Sequence, residues 1–184
     1  MAKFKFYNLP LDGMKRIEYF DSSDNRGKFQ KIYASKEFQK EIPFELKETL
    51  VTYSKANVIR GLHFQIPPQA KIISCLKGAI FDVGVDLRRG SPSFGQWYGE
   101  VLTESDNHSL FIPHDFAHGY AVLKDSIVVY LCDEDFSAEG DSGVYYLDSD
   151  INVDWGIIDP DTAIVSEKDS NLKSLKELIN LGII

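Results

Sequence analysis

Strict alternation of side chains along short segments is the feature that most constrains how this chain folds. Across residues 79–87, which read Ala-Ile-Phe-Asp-Val-Gly-Val-Asp-Leu, large apolar side chains alternate with small or acidic ones. Successive side chains of a strand point to opposite faces, so a period of two predicts a β-strand. Another predicted strand, Lys71–Leu76, precedes it and is expected to end at Lys77-Gly78, and Arg89–Pro92 is predicted to form a turn.

Similar segments continue through the central part of the chain. They predict strands over residues 96–102, 109–112, 119–123 and 126–131. Short strands with turns at this spacing are typical of an antiparallel sandwich or barrel. Helical patterns are few: a short helix is predicted over Ser35–Gln39, and spaced leucines predict an amphipathic helix that ends before Gly182. The sequence therefore predicts one all-β domain with an N-terminal strand arm and a C-terminal helix.

Composition and charge argue against several classes of protein. The chain has 184 residues, of which 43% are hydrophobic, and its net charge of −8 argues against non-specific nucleic-acid binding. No stretch approaches the roughly 20 apolar residues of a membrane span. The chain start alternates charged and aromatic residues and does not resemble a signal peptide. We therefore expect a cytoplasmic protein, with its isolated Cys75 and Cys132 reduced and buried.

Two histidines stand in short, glycine-flanked, strand-like segments, Arg60–Gln65 and Phe116–Tyr120. Histidine is the side chain best suited to move protons near neutral pH. A lone histidine in a strand is otherwise an ordinary half-buried residue. Residues two apart share a face of a strand, so Gly61, His63 and Gln65 are expected on one side. Polar groups on an otherwise apolar sheet face indicate a lined cavity.

A metal site is not favoured by the same histidines. His114 and His118 have the spacing of two ligands on a helix, but Pro113 and Gly119 bracket them and the segment is predicted to be a turn into a strand. The His-x-His pattern of many metal-binding β-barrels is also absent at His63. A metal-dependent cupin oxygenase or isomerase is therefore a weaker alternative.

A series of motifs in order resembles the dTDP-4-dehydrorhamnose 3,5-epimerase family over roughly residues 20 to 170. The matching segments are Arg60–Gln65, Pro67-Pro68, Phe81–Arg88, Ser91–Gly95, Ile112-Pro113, Phe116–Tyr120 and Ser166–Asp169. The resemblance implies a cupin-type antiparallel jelly roll that works without metal or organic cofactor, as a homodimer whose N-terminal strands cross to the partner. The chain is then one domain, 1–184, with an arm over 1–45, a jelly-roll core over 46–155 and a C-terminal segment over 156–184.

The resemblance also implies a chemistry. The substrate is a nucleotide-linked 4-keto-6-deoxy sugar, whose ketone acidifies the protons on C3 and C5. A base removes one of these protons, an enolate forms, and a proton returns on the opposite face, which makes the enzyme an isomerase acting on carbohydrates. By resemblance, His63 is the base, Asp169 orients it and Tyr130 is the acid. Lys71 and His118 match residues around the sugar and its C4 oxygen.

Some of these residues have simpler interpretations. Ser166–Asp169 fits a capping box at the start of a helix, and Tyr130 alone would be an ordinary strand aromatic. On the nucleotide side, Arg is suited to bidentate phosphate contacts. The residues matched to family contacts there are Arg26, Arg60, Lys168, Phe136 and Asp141. Phe136 stands where the family has an aromatic residue stacked on thymine, and Asp141 stands where it has a glutamate. Gln65, on the same face as His63, is also predicted to contact the substrate.

Other nucleotide positions depart from the family. Lys31 stands where the family has glutamate, and Glu48-Thr49-Leu50 replaces Gln-Asp-Asn. We therefore favour a GDP-linked sugar, as in the similar GDP-linked 6-deoxy-heptose epimerases of bacterial capsule synthesis, with Glu48 as an acceptor for guanine N1 and N2. The alternatives are a dTDP-4-dehydrorhamnose 3,5-epimerase and, in another class, a non-catalytic cupin that binds nucleotide sugars.

Overall fold

The computed structural model of the chain describes residues 4–156, 158–159 and 161–184, so the first three residues of the chain start lie outside it. The elements within these ranges are β1 (Lys5–Asn8), β2 (Lys15–Glu18), β3 (Phe20–Asp24), β4 (Gly27–Lys31), α1 (Ser35–Phe38), β5 (Glu48–Ser54), β6 (Ile59–Gln65), β7 (Lys71–Asp86), β8 (Trp97–Thr103), β9 (His108–Ile112), β10 (Phe116–Cys132), β11 (Asp141–Gly143), α2 (Glu167–Ser170) and α3 (Leu175–Asn180).

Two long antiparallel strands, β7 and β10, organise the fold because each belongs to two layers. In the first layer, the second half of β7 pairs with β8, and the first half of β10 pairs with β6, which pairs with β11. In the second layer, the start of β7 pairs with β9, which continues to β2 and β1, and the end of β10 pairs with β5. The predicted all-β antiparallel jelly roll is thus confirmed.

The long strands bend where separate strands were predicted. The strand expected to end at Lys77-Gly78 continues to Asp86, and the pairing of β7 with β10 shifts register around Ala79. Gly78 has φ +80°, and a Cβ there would lie 2.2 Å from the Asp125 carbonyl oxygen, so only glycine fits. The predicted end is therefore wrong: a bulge carries one strand from one layer to the other. The two segments predicted within β10 are joined in the same way.

Apolar side chains fill three regions around these layers. The space between the layers holds Ile73, Ile80, Leu110, Tyr120 and Val128 among others. The outer face of the first layer is covered by the C-terminal segment, with Trp155, Leu175 and Leu178 packed on Phe81, Val83 and Val85. The outer face of the second layer is covered by the N-terminal region, where Phe38 and Phe44 pack near Ile72 and Phe111. Because both layers are covered, even Asp82 and Asp86 are fully buried.

The remaining elements lie at the edges of this sandwich. Strands β3 and β4 form a hairpin that is a separate two-stranded sheet. The helix predicted over Ser35–Gln39 is α1, and the predicted C-terminal helix is α3, which ends before Gly182. Among the described residues, no helix is long and apolar enough to cross a membrane.

Candidate active site

A cavity of about 190 Å³ opens between the two layers. Side chains from both layers and from the loop after β10 form its wall: Leu50, Thr52, Arg60, His63, Phe64, Gln65, Gln69, Lys71, Tyr130, Phe136 and Asp141. Seven of the residues predicted from the sequence are among them, and they come from β6, β7, β10, β11 and the loop. Because β6 belongs to the first layer and the end of β10 to the second, His63 and Tyr130 approach the cavity from opposite layers.

His63 forms a hydrogen-bonded pair with Asp169, which reaches it from α2 outside the sandwich. His63 Nε2 lies 2.8 Å from Asp169 Oδ1, and Asp169 Oδ2 accepts the backbone N–H of Gly61 at 3.1 Å. Burial alone would raise the pKa of Asp169, but the His63 ring, the Gly61 N–H and the Ser166 hydroxyl outweigh burial and hold the pKa below its ordinary value. An ionised carboxylate only accepts hydrogen bonds, so Nε2 carries the hydrogen and Nδ1 is left as the basic atom.

Gly61 makes this arrangement possible because β6 runs very close to β10. Its φ is +114°, and a Cβ on it would lie 2.6 Å from the Gly119 Cα atom and 2.8 Å from the His118 carbonyl oxygen. Any larger residue would push the strands apart. The close approach also sets His63 opposite His118 in the strand register.

Tyr130 and Lys71 are both on the second layer, and burial shifts the pKa values of the two groups in opposite directions. Burial, followed by interactions with Tyr120 and Asp82, raises the pKa of Tyr130 well above its ordinary value. Burial lowers the pKa of Lys71. Thr52 Oγ1 lies 2.8 Å from the Tyr120 hydroxyl, and the Tyr120 ring lies beside that of Tyr130. The cavity thus combines a neutral phenol with a lysine on which burial disfavours the charge.

His118 lies elsewhere than the sequence prediction placed it. It is buried, its Nε2 lies 2.7 Å from Asp82 Oδ1, and its ring meets the edge of Tyr130 with 5.7 Å between ring centroids. It does not line the cavity among the described residues, so its predicted direct contact with the sugar C4 oxygen is not seen. Its contact with Tyr130 indicates that His118 supports the Tyr130 side chain from the side away from the cavity.

The predicted cations near the nucleotide differ in their surroundings. Arg60 lines the cavity and donates from Nε to Ser54 Oγ at 2.9 Å. Lys168 forms an ion pair with Asp141, which lines the cavity. Arg26 is at the tip of the β3–β4 hairpin, pairs with Asp24 at 2.6 Å and has an 87% exposed side chain. It does not line the cavity in the described part of its own chain.

The loop between β10 and β11 places Phe136 at the cavity, with its side chain 53% exposed. Gln65, predicted to contact substrate, uses both amide atoms to bind this loop: Nε2 donates to the Asp135 carbonyl oxygen, and Oε1 accepts the Ser137 N–H. Glu48 does not line the cavity, and its carboxylate accepts the Phe136 N–H at 2.9 Å. The predicted guanine acceptor is therefore already engaged by the protein.

Two further observations concern residues outside the predicted site. His114 pairs with Asp133 at 2.9 Å, apart from His118, and no group of metal-ligating residues occurs within the described ranges. Thr52 and Gln69 also line the cavity, and neither is among the residues predicted from the sequence. Alternation along β5 would have found Thr52, because Leu50 lines the same cavity two residues earlier.

Comparisons with known proteins show which family the chain resembles. The family model for dTDP-4-dehydrorhamnose 3,5-epimerase matches residues 8–177. The dTDP-4-dehydrorhamnose 3,5-epimerase of Methanothermobacter thermautotrophicus is 40% identical over 180 residues, which cover 96% of this chain and 97% of that protein.

Solved structures give the same result. The Legionella pneumophila dTDP-6-deoxy-D-glucose-3,5-epimerase, in complex with dTDP-4-keto-L-rhamnose, has a TM-score of 0.92 at 33% identity and covers 99% of this chain and 97% of its own. A 3'-monoepimerase of Streptomyces bikiniensis, in complex with dTDP-quinovose, has a TM-score of 0.87 at 28% identity, with 96% and 90% covered. The chain therefore belongs to the dTDP-4-dehydrorhamnose 3,5-epimerase family and is a nucleotide-sugar epimerase.

Proposed function

We propose that this enzyme epimerises a dTDP-linked 4-keto-6-deoxy sugar at C3 and C5. The observation that carries the proposal is the placement of His63 with Asp169 on one layer and of Tyr130 on the other. An inversion through an enolate needs a base on one face of the sugar ring and an acid on the opposite face. A cavity walled by both layers supplies that arrangement.

The proposed reaction proceeds by two proton transfers at each carbon. His63 Nδ1 takes the proton from the carbon beside the ketone, and the C–H electron pair moves into the enolate. Asp169 stabilises the resulting imidazolium without taking its proton. Lys71 donates a hydrogen bond to the C4 oxygen, on which negative charge develops. This interaction is worth on the order of 3 kcal/mol in the transition state. Tyr130 then delivers its proton to the other face and becomes a phenolate until it regains a proton.

The choice of dTDP replaces the GDP-linked heptose favoured by the sequence departures. Relatives that match nearly all of the chain are dTDP-sugar enzymes. Glu48, suggested as the acceptor for guanine, has a carboxylate that instead accepts the Phe136 N–H. A GDP-linked heptose is kept as the alternative substrate. A role in bacterial surface-polysaccharide synthesis and a cytoplasmic location stay predictions.

A homodimer with crossing N-terminal strands also belongs to this proposal. The β3–β4 hairpin forms a sheet of its own, and it exposes Phe20 and Phe29 beside Arg26. Exposed aromatics next to a cation suit burial against a second subunit that carries a phosphate-binding cavity. Arg26 would then bind the diphosphate in the partner's site.

The test is incubation of the protein with dTDP- and GDP-linked 4-keto-6-deoxy sugars in deuterated water, with deuterium read at C3 and C5 separately. We expect uptake and inversion with the dTDP-linked substrate. His63→Asn should abolish uptake while dTDP still binds, and Tyr130→Phe should reduce inversion more than the first deprotonation. Tyr53→Phe is the matched control, because Tyr53 is a 74% exposed tyrosine of β5 outside the cavity wall.

Three outcomes would contradict parts of the proposal. Exchange restricted to the GDP-linked sugar would reverse the choice of nucleotide. Undiminished deuterium uptake by His63→Asn would remove His63 as the base. Binding of the nucleotide sugar without uptake at either carbon would favour the non-catalytic cupin instead.

A further inference from the structure

The aromatic side chain at the rim of the cavity belongs to a loop whose backbone is fixed by side chains from two strands. Phe136 lies near the middle of residues 133–140, and about half of its side chain is exposed. A half-exposed aromatic ring at a cavity mouth gives a flat surface for a planar ligand group. Such a surface contributes to affinity only if its backbone is held in one position, because ordering a freely moving group on binding costs entropy.

Gln65 binds the loop on both sides of this aromatic residue. Its Nε2 donates to the Asp135 carbonyl oxygen at 3.0 Å, and its Oε1 accepts the Ser137 N–H at 3.2 Å. Gln65 is only 6% exposed, and both bonds are partly buried. Its position on β6, two residues after His63, connects the loop directly to the strand that carries the predicted base.

Glu48 supplies the remaining contact with the same peptide. Its Oε2 accepts the Phe136 N–H at 2.9 Å, whereas its side chain is absent from the described wall of the cavity. A carboxylate is a strong acceptor for a backbone N–H. The two strands that flank the cavity therefore bind three consecutive loop residues, with Phe136 at the centre.

We infer that Glu48 and Gln65 are positioning residues that fix Phe136 as the platform for the nucleotide base, and that neither side chain reads the base itself. The inference rests on the proposed function, because it needs a nucleotide in this cavity. It assigns Glu48 to the affinity for the nucleotide without assigning it to the chemistry at the sugar. Any effect of Glu48 on nucleotide affinity must then depend on the position of Phe136.

A double-mutant cycle tests that dependence, with dTDP titrated against the full-length protein. We expect Phe136→Ala to weaken dTDP binding roughly tenfold, as for loss of one stacking partner. Glu48→Ala should weaken binding about three- to tenfold, and Glu48→Gln, which keeps a carbonyl acceptor, should restore most of it. In the Phe136→Ala background, Glu48→Ala should have no further effect. Glu45→Ala, an exposed glutamate just before β5, is the control.

Two further measurements separate positioning from general destabilisation. Amide hydrogen exchange at Phe136 should accelerate in Glu48→Ala and stay slow in Glu48→Gln. Gln65→Glu, which keeps the size of the side chain but cannot donate to the Asp135 carbonyl, should also accelerate exchange in the loop. In Glu48→Ala, KM should rise while kcat stays within about twofold.

The inference is overturned if Glu48→Ala leaves dTDP affinity unchanged, or if it weakens binding equally with and without Phe136. A binding loss in Glu48→Gln as large as in Glu48→Ala would also overturn it, because direct contact of the charge with the base would then be indicated. If the unaltered protein binds no nucleoside diphosphate, the proposed function itself fails. Failure of the inference alone looks different: the unaltered protein binds dTDP normally, and Glu48→Ala does not change the affinity.

Discussion

At the scale of single residues, Asp169 combines two roles that the sequence presented as alternatives. Its backbone N–H donates to Ser166 Oγ at 3.0 Å and so forms the helix cap, while its side chain binds His63 and Gly61. The complete capping box is instead formed by Ser174 and Glu177 at the start of α3. A cap uses the main chain of the third residue, so it leaves that residue's carboxylate free for a second purpose.

Asp169→Asn tests the carboxylate alone. An amide in this place presents its NH₂ group or its oxygen to Nε2, and it removes the charge that stabilises the imidazolium. We expect kcat to fall by a factor on the order of 10³ or more, with dTDP affinity nearly unchanged. The neighbouring exposed Glu167→Gln is the matched control. Wild-type kcat in Asp169→Asn would show that His63 needs no ionised partner.

At the scale of elements, a partly buried charge cluster joins β8 of the first layer to β2 and β9 of the second. Glu100 accepts from Arg16 Nε at 3.1 Å and from the Tyr98 hydroxyl at 2.9 Å, and His108 Nε2 lies 3.3 Å from its other oxygen. Burial would raise the pKa of Glu100, but His108, Arg16 and Tyr98 lower it to about 2. The cluster thus links β8, which pairs with β7, to the paired strands β2 and β9.

The pKa of Glu100 gives a prediction with a definite sign. A carboxyl whose pKa falls on folding stabilises the protein above its unfolded pKa, near 4.5, and this contribution is lost as the pH falls towards about 2. Glu100→Gln should therefore lower the free energy of unfolding at pH 7 by roughly 1–3 kcal/mol. The difference from wild type should shrink at pH 3 in urea denaturation. An equal difference at both pH values, or a similar loss in the exposed control Glu45→Gln, would argue against the ionised cluster.

At the scale of the whole molecule, the sandwich is covered on both outer faces by its own chain, which leaves the hairpin with Arg26 as a separate projecting sheet. The proposed exchange of this hairpin between subunits makes each site composite. A closed dimer with two-fold symmetry would then contain two sites, each with His63 from one subunit and Arg26 from the other.

Complementation between two variants tests the composite site. Arg26→Ala and His63→Asn should each be poorly active at low substrate concentration. When the two variants are co-expressed, half of the dimers are mixed, and one site of each mixed dimer is intact, so about a quarter of the sites recover activity. If Arg26 serves its own chain, or if the protein is a monomer, no site is intact and activity does not recover. The control is co-expression of Lys28→Ala with Arg26→Ala. Both changes are on the same hairpin, and His63 is intact in both variants.

Much of this architecture could be read from the sequence, and the misses have physical causes. Alternation located the strands, but it did not show that Gly78 bends one strand between layers, because a glycine beside a lysine is also typical of a turn. Asp82 was predicted only as part of an alternating strand, and that pattern did not show that Asp82 is fully buried and hydrogen-bonded to His118. The contact between Glu48 and Phe136 joins distant parts of the chain, and no local pattern predicts it.

The position of Asp169 outside the sandwich has a consequence for the response of the enzyme to heat. It is held on α2, a four-residue helix attached to β6, whereas His63 is part of the strand framework. Short peripheral helices open at a lower free energy than central strands. Warming is therefore expected to separate the pair reversibly while the strands stay folded. The upper temperature of catalysis is then set by the attachment of one helical turn, below the melting of the sandwich.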